Sequence, residues 1–496
     1  MQDPRRRAAE SGCDVIVLGT GPGGMAATAA AVHAGAMVTV VEPEQRIGGN
    51  AIYSTGYLAF VRSAAQEEQG IHDSEDAFVD DALRMAELAG EDYGILCDES
   101  LVRLFARESA ATYRQLVEGG VRFARFIPRP RQHTTDRMLA VEDPTTLARP
   151  FEPVFADPRV TTLFGTVGER LIVEGGRVAG VIARPRTGSA LTGDERYGEP
   201  MELRARHGVV LATGGYQANP ALRRRYQPGY LAAGPYLGID SCRGDGHLMG
   251  QAVGGDLINM TYVPPLVMVG SALVEDTIAV NRDGVRFHDE AGPYEERVRA
   301  LLAQPDRAGW YLFDAVTAGG KAHLIDQMPE PPVTAPTVRE LAAAVGCAPG
   351  IIEESVRGWN AMLATGTDRD PAFGRVVLPA GHRPLAVAPF SAVPMVVGVN
   401  FVSGGFSVTG DLQVIDVFGS PIRGLFAAGD CVGGFNPTAD LGGIRIAGGF
   451  TLGRLAGDAA ARGVHGTGRY PTAQHQVRPS TVHREVEIVH VTGQAR

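Results

Sequence analysis

Apolar residues gather in short unbroken runs toward both ends of the chain and take helical spacing between them. Val15-Ile16-Val17-Leu18 is a run of the length and β-branched content of a strand buried on both faces. The Ala-rich stretch after Pro22 predicts a helix, and residues 37–41, closed by Glu42, predict a second strand. Between about 76 and 126 the period is helical, with Phe78, Leu83, Leu101, Leu104, Phe105, Tyr113 and Leu116 on the repeat. From about 150 to 212 short strands alternate with glycine turns and end in Val209-Val210-Leu211. The pattern predicts a hairpin over 279–287 turning at Asp283-Gly284, a helix over 337–363, and a hairpin over 406–417. It also predicts a strand over 425–428 and a last helix over about 447–462. Gly244-Asp245-Gly246 opens a helix over 247–252, with Asp245 as its cap and His247 on its surface. Strands alternating with helices give the fold class: α/β, Rossmann-like and parallel, with an α+β second unit.

The first strand runs into Gly19-Thr20-Gly21-Pro22-Gly23-Gly24, which fits G-x-G-x-x-G with Gly19, Gly21 and Gly24. Gly19 permits the tight turn, Gly21 lets a pyrophosphate approach the backbone, and Gly24 lets helix and strand pack closely. The helix then presents free N–H groups and its positive dipole end to the phosphates. Glu42 stands about 20 positions further on, where an acid binds a ribose hydroxyl, and an acid there favours an unphosphorylated ribose. A lone glycine motif is weak evidence. Here strand, helix, second strand and terminal acid occur in register, which predicts a dinucleotide site.

Composition narrows the partners. The 496 residues carry a net charge of −10 and are 44% hydrophobic. There is no basic face to suit nucleic acid. The five cysteines form no C-x-x-C, giving no zinc or disulfide signal and suiting a reducing cytoplasm. Arg5-Arg6-Arg7 lacks a following apolar segment, and no run approaches the roughly 18 apolar residues of a membrane helix, so a cytoplasmic location is expected.

Several further motifs occur in order: Arg46-Ile47-Gly48-Gly49-Asn50, then Ser54-Thr55-Gly56, Ala212-Thr213-Gly214-Gly215-Tyr216, Gly244-Asp245-Gly246, and Gly424-Leu425-Phe426-Ala427-Ala428-Gly429-Asp430. Together they resemble the FAD-binding superfamily of fumarate reductase flavoproteins and 3-ketosteroid Δ1-dehydrogenases, over residues 13–462. The resemblance implies a discontinuous FAD domain at 13–221 and 396–463, with a helical insertion at 76–126. It further implies a capping domain at 222–395, between a disordered arm (1–12) and a mobile tail (464–496). It implies FAD held without a covalent bond, since the segment after Gly49 lacks the tethering His of respiratory members. The cofactor set it implies is Gly19, Gly21, Pro22, Gly23, Gly24, Glu42, Pro43, Gly48, Gly49, Asn50, Thr55 and Gly56 from the first half. From the rest it adds Val167, Ala212, Thr213, Gly214, Gly429, Asp430, Gly448 and Gly449.

Within the family three positions discriminate. Fumarate reductases place a proton-donating Arg four residues after an Asn-Glu; here Asp289-Glu290 leads to Tyr294. They also carry a substrate His three residues before paired glycines; here that position is Phe401. Pro293-Tyr294 resembles the ketosteroid enzymes, whose Tyr removes the proton α to a ketone. Arg445, in Gly443-Ile444-Arg445, matches the Arg that binds a carboxylate in fumarate and urocanate reductases. The expectation is a desaturase of a small ketone or oxo-acid. Tyr294 would act as base, Arg445 as carboxylate clamp, and backbone N–H groups at Gly442-Gly443 as enolate stabilisers. Its electron acceptor is unidentified. A reductase of a conjugated carboxylate and a non-catalytic flavin-binding protein stand as alternatives. The Pro-broken basic loop over 126–133 offers Arg129, Arg131 and His133 as anion-facing candidates, and one of Tyr53, Tyr57, Tyr93, Tyr113, Tyr236 and Tyr262 is a candidate second phenol. Arg445 has Asp430 and Asp440 as candidate ion-pair partners.

Overall fold

The computed structural model describes residues 12–470 apart from 190–192, 228–233, 237, 263–265, 268–275, 326–330, 400, 437, 439–440 and 467–469. The N-terminal arm, all but a few residues of the tail, and Asp440 therefore lie outside the described residues.

Strand β1 (Cys13–Leu18) leads through α1 (Pro22–His33) into β2 (Val38–Glu42), and the sheet is completed by β3 (Val160–Phe164), β4 (Met201–Leu211) and β5 (Pro421–Ala427). These five run parallel in the order β5-β4-β1-β2-β3, as the apolar runs predict. Their registers align the carboxyl ends: Leu18 lies beside Val41 and Leu211, and Leu211 beside Ala427. The chain therefore leaves three neighbouring strands at one edge, through Gly19, Ala212 and Ala428. That edge is where an open parallel sheet forms its ligand crevice.

The helical stretch resolves into Glu75–Tyr93 and Glu99–Glu118, the second started by Asp98, whose carboxylate accepts from the N–H groups of Ser100 and Leu101. The second unit is a four-stranded antiparallel sheet of Ile278–Asn281, Gly309–Phe313, Phe390–Pro394 and Val333–Ala335. Two helices, Val338–Val345 and Pro349–Ala364, bury Leu341, Ile352, Val356 and Trp359 against it. The single helix expected over 337–363 is thus two, broken where Gly346 turns left-handed (φ +75°) shortly before Pro349. The hairpin expected over 279–287 forms in its shortest version: an antiparallel bridge joins Val280 to Arg286 around the Asp283-Gly284 turn, and Asn281 N–H bonds Val285 O, while strand Ile278–Asn281 pairs along its length with Gly309–Phe313. A short helix, α2 (Tyr294–Leu302), packs Val298 and Leu301 against this sheet.

The last helix, α3 (Ile444–Ala461), starts three residues earlier than the pattern predicts, which puts Arg445 in its first turn. It crosses α1 backbone to backbone. A Cβ at Gly453 would lie 2.4 Å from Gly23 O, and one at Gly457 2.1 Å from Ala27 O. The helix over 245–252 has Gly244 as its N-cap, with no side-chain cap bond, so Asp245 is its first residue and not its cap. His247 is buried, with Nε2 3.1 Å from Gly404 O, and is not a surface residue: its ring packs between Tyr216 and Phe406. Among the described residues no helix is long and apolar enough to cross a membrane.

Candidate active site

One continuous cavity runs from the carboxyl edge of the sheet to the face of the second unit. At the sheet end its wall includes Gly19, Gly21, Pro22, Gly23, Glu42, Pro43, Val167, Ala212 and Thr213. Gly21 caps α1 without a side-chain bond, and a Cβ there would meet nothing within 4 Å. The opening N–H groups of α1 therefore face a groove with room for a phosphate. Glu42 is buried: one carboxylate oxygen accepts from Thr20 N–H at 2.7 Å and the other from Glu44 N–H at 2.8 Å. Burial pushes its pKa up, while those donors and the Thr20 hydroxyl act the other way. Oε2 is taken by both Thr20 N–H and the Thr20 hydroxyl, while Oε1 accepts only from Glu44 N–H and keeps a lone pair, so a ribose hydroxyl can still be accepted there.

Further along, Gly49, Asn50, Thr55, Gly214, Gly429, Asp430, Gly443 and Gly449 also line the cavity. Asn50 ties this segment to the second unit. Its amide donates to Tyr236 Oη and Cys242 Sγ, both at 3.1 Å, and its Oδ1 accepts from Ile239 N–H. Residues expected to hold a dinucleotide thus line the groove from end to end, and the groove fits FAD.

Four expected cofactor residues lie behind the wall instead. A Cβ at Gly24 would stand 1.9 Å from Gly19 O, and at Gly448 2.2 Å from the Phe435 ring. Gly48 donates its N–H to Thr20 O and is backed by Ile52, while Gly56 is backed by Pro144 and Val141. These glycines shape the wall by close packing rather than by facing a ligand.

At the far end the wall includes Tyr294, Arg297, Phe401, Arg445, Gly442, Tyr53, Tyr57, Arg129 and Gln132. The two residues central to the expected chemistry therefore share one cavity. Arg445, however, is not an open clamp. Its Nη1 donates to Asp430 Oδ1 at 2.7 Å and to Val402 O at 2.6 Å, and its Nη2 to Ser403 Oγ at 3.1 Å. The physical reason lies in α3: a cation in the first turn meets the positive end of the helix dipole, and Asp430 offsets it. Phe401 packs 4.3 Å beneath the guanidinium. Tyr294 opens α2, and Arg297, one helical turn on, holds its guanidinium carbon 4.4 Å from the centre of the Tyr294 ring. Arg297 is buried and donates to Glu290 O.

The basic loop divides its candidates. Arg129 reaches the cavity; Arg131 forms an ion pair with Glu296 of α2. His133 lies behind the wall, with Nε2 2.9 Å from Gly442 O. A carbonyl only accepts, so Nε2 carries the proton. Burial holds the His133 pKa down at about 4, so the ring is neutral and positions Gly442. Of the candidate second phenols, Tyr53 and Tyr57 line the cavity, whereas Tyr236 is spent on Asn50 and Ile239 O. The sequence reading missed Arg297 and Gln132. The spacing of Arg297 from Tyr294 on one helix was the available signal; Gln132 had none beyond its neighbours.

The model of the FAD binding domain family matches residues 14–446. The chain is 29% identical over 489 residues to the probable fumarate reductase Ifc3 of Shewanella frigidimarina (strain NCIMB 400), covering 93% of this chain and 77% of that protein. It is 26% identical over 517 residues to 4-oxocyclohexanecarboxylate 2-dehydrogenase of Sinomonas cyclohexanicum, covering 84% and 87%. Among solved structures it is similar to 3-ketosteroid-delta4-(5alpha)-dehydrogenase from Rhodococcus jostii RHA1, with a TM-score of 0.63, 25% identity, and 90% and 96% of the two chains covered. The glycine-lined groove and the match over most of the chain agree: this protein belongs to the FAD binding domain family and is an FAD-dependent oxidoreductase of the fumarate reductase and ketosteroid dehydrogenase superfamily.

Proposed function

We propose that the chain desaturates a ketone at its α,β bond, on a substrate that also carries a carboxylate. The observation that carries this is the shared cavity of Tyr294, Arg445 and the Gly442-Gly443 backbone. Tyr294, as phenolate, removes the α-proton, which is acidified because the carbanion delocalises onto the ketone oxygen. Backbone N–H groups at Gly442-Gly443, fixed by His133 from behind, stabilise that oxygen as charge develops. The guanidinium of Arg297 against the Tyr294 ring gives the phenolate a cation beside it. FAD, bound without a covalent link in the groove lined by Gly19, Gly21, Gly49 and Gly429, would supply the two-electron oxidation as hydride acceptor for the β-hydrogen. Arg445 contributes positive charge on the carboxylate side, through whatever edge Asp430, Val402 and Ser403 leave open. A separate electron acceptor then restores the oxidised enzyme.

The test is anaerobic bleaching of the flavin band by a panel of cyclic ketones and oxo-acids, 4-oxocyclohexanecarboxylate among them. Bleaching with formation of the enone is expected, and no bleaching across the panel would overturn the proposal. A second reading is the reverse chemistry, reduction of a conjugated carboxylate, favoured by the 93% coverage of this chain by the probable fumarate reductase. It requires that the reduced enzyme be reoxidised by fumarate or a related acid.

A further inference from the structure

Three guanidiniums line the substrate end of the cavity, and two of them are committed. Arg445 is held by Asp430, Val402 and Ser403. Arg297 is 4% exposed, lies against Tyr294 and donates to Glu290 O. Arg129 is different. It is half-buried, and among the described residues no carboxylate pairs with it; its one side-chain hydrogen bond is to the adjacent Pro128 O, at 3.2 Å. Its guanidinium carbon lies 6.0 Å from the centre of the Tyr57 ring.

The loop around it is fixed in place. The N–H groups of Gln132 and His133 both donate to Arg129 O at 2.8 Å, closing a tight turn directly after it. Arg131 is pinned to Glu296 and His133 to Gly442 O. Arg129 is thus presented on a hydrogen-bonded turn, with no carboxylate among the described residues on its planar fork. A guanidinium so placed binds a carboxylate through two parallel N–H donors, and an ordered loop reduces the entropic cost of doing so.

We propose that Arg129 is the residue that anchors the substrate's carboxylate, and that it selects oxo-acids over uncharged ketones. The proposal rests on the ketone-desaturase reading for the identity of the substrate, but not for the binding of the acid.

The experiment uses the FAD-loaded full chain and its Arg129→Ala, Arg129→Lys and Arg131→Ala variants. Binding of 4-oxocyclohexanecarboxylate and of cyclohexanone to the oxidised enzyme is read from the shift of the flavin band, and KM and kcat are measured for each. Arg129→Ala is expected to raise Kd and KM for the acid by about tenfold or more, the worth of a charge-assisted contact, with cyclohexanone changed by less than about twofold. Arg129→Lys falls between, because a lysine keeps the charge and loses the fork. Arg131→Ala, which removes a cation from the same loop outside the cavity, leaves the acid-to-ketone ratio unchanged. Equal weakening of both compounds, no change for either, or no binding of the acid by the unaltered enzyme would overturn the proposal. Acid binding that depends on Arg129 without any flavin bleaching would instead overturn the desaturase reading and leave the anchor standing.

Discussion

Arg445 Nη1 and Asp430 Oδ1 stand 2.7 Å apart in the wall of the cavity, with the two side chains 22% and 23% exposed. Each partner compensates the other: Arg445 opens a helix whose dipole opposes it, and Asp430 would otherwise be an unpaired carboxylate at the mouth of the FAD groove. Arg445→Ala is expected to lower stability by about 1 kcal/mol, a partly exposed pair being worth less than a buried one. The double variant with Asp430→Asn should cost less than the sum of the singles. Thermal denaturation at saturating FAD measures all three, and strictly additive losses would show that the pair is not coupled.

Tyr294→Phe keeps the ring beside Arg297 and removes only the oxygen, so the fold and the yellow colour should persist. Turnover of a ketone substrate should fall by about 10²- to 10⁴-fold, the usual worth of a positioned base. The measurement is steady-state dehydrogenation with an artificial acceptor. Unchanged turnover would remove Tyr294 from the mechanism.

Two glycines separate folding from cofactor binding. Gly21→Ala puts a methyl into open groove at an ordinary φ of −64°, so the melting behaviour of the FAD-free protein should hardly change while FAD affinity collapses. Gly457→Ala drives a methyl to 2.1 Å from Ala27 O, backbone that cannot step aside, and should cost about 1–3 kcal/mol by overpacking where α3 crosses α1. Melting with and without FAD distinguishes them. If both variants lost stability equally, the phosphate role of Gly21 would fail.

How much of this was legible in the chain depends on the range of the interaction. The βαβ unit, the parallel strands and the glycine loop are local, and each local preference agrees with the final fold, so β1, α1 and β2 stand where the pattern puts them. The cavity pairing of Tyr294 with Arg445 followed from family motifs and not from periodicity. What could not be seen was set by partners distant in sequence. Gly448 resembles a ligand glycine by motif, yet the Phe435 ring decides that it packs. His247 looks like a helix surface residue until Phe406 and Gly404 close over it. Arg445 looks like a free clamp because only the tertiary fold brings Asp430 and Val402 to its Nη1.

Acid should loosen the protein as its buried histidines are drawn to protonate. Burial holds His133 and His288 neutral, each with its pKa lowered from the ordinary 6.5 to about 4. Unfolding releases both rings to their ordinary pKa, so between pH 6.5 and 4 these two rings bind more protons in the unfolded chain than in the folded one. Their contribution to stability is therefore full above about pH 6.5 and falls as pH drops through that window, by up to about 1.4 kcal/mol per pH unit for each ring, while Asp245, raised to about 6 by burial, offsets part of the loss by taking up its proton earlier in the folded protein. Glu290, held down to about 2 although burial opposes it, by Arg286 and Arg375, loses its contribution only below about pH 4.5. Urea unfolding of the FAD-loaded protein at pH 7, 6, 5 and 4.5 should show the decline, and His133→Asn or His288→Asn should each flatten it. Because His133 fixes Gly442, flavin fluorescence should appear ahead of the main transition in the unaltered chain at pH 5 but not at pH 7. Stability independent of pH across this range would mean that neither ring is kept neutral by its burial.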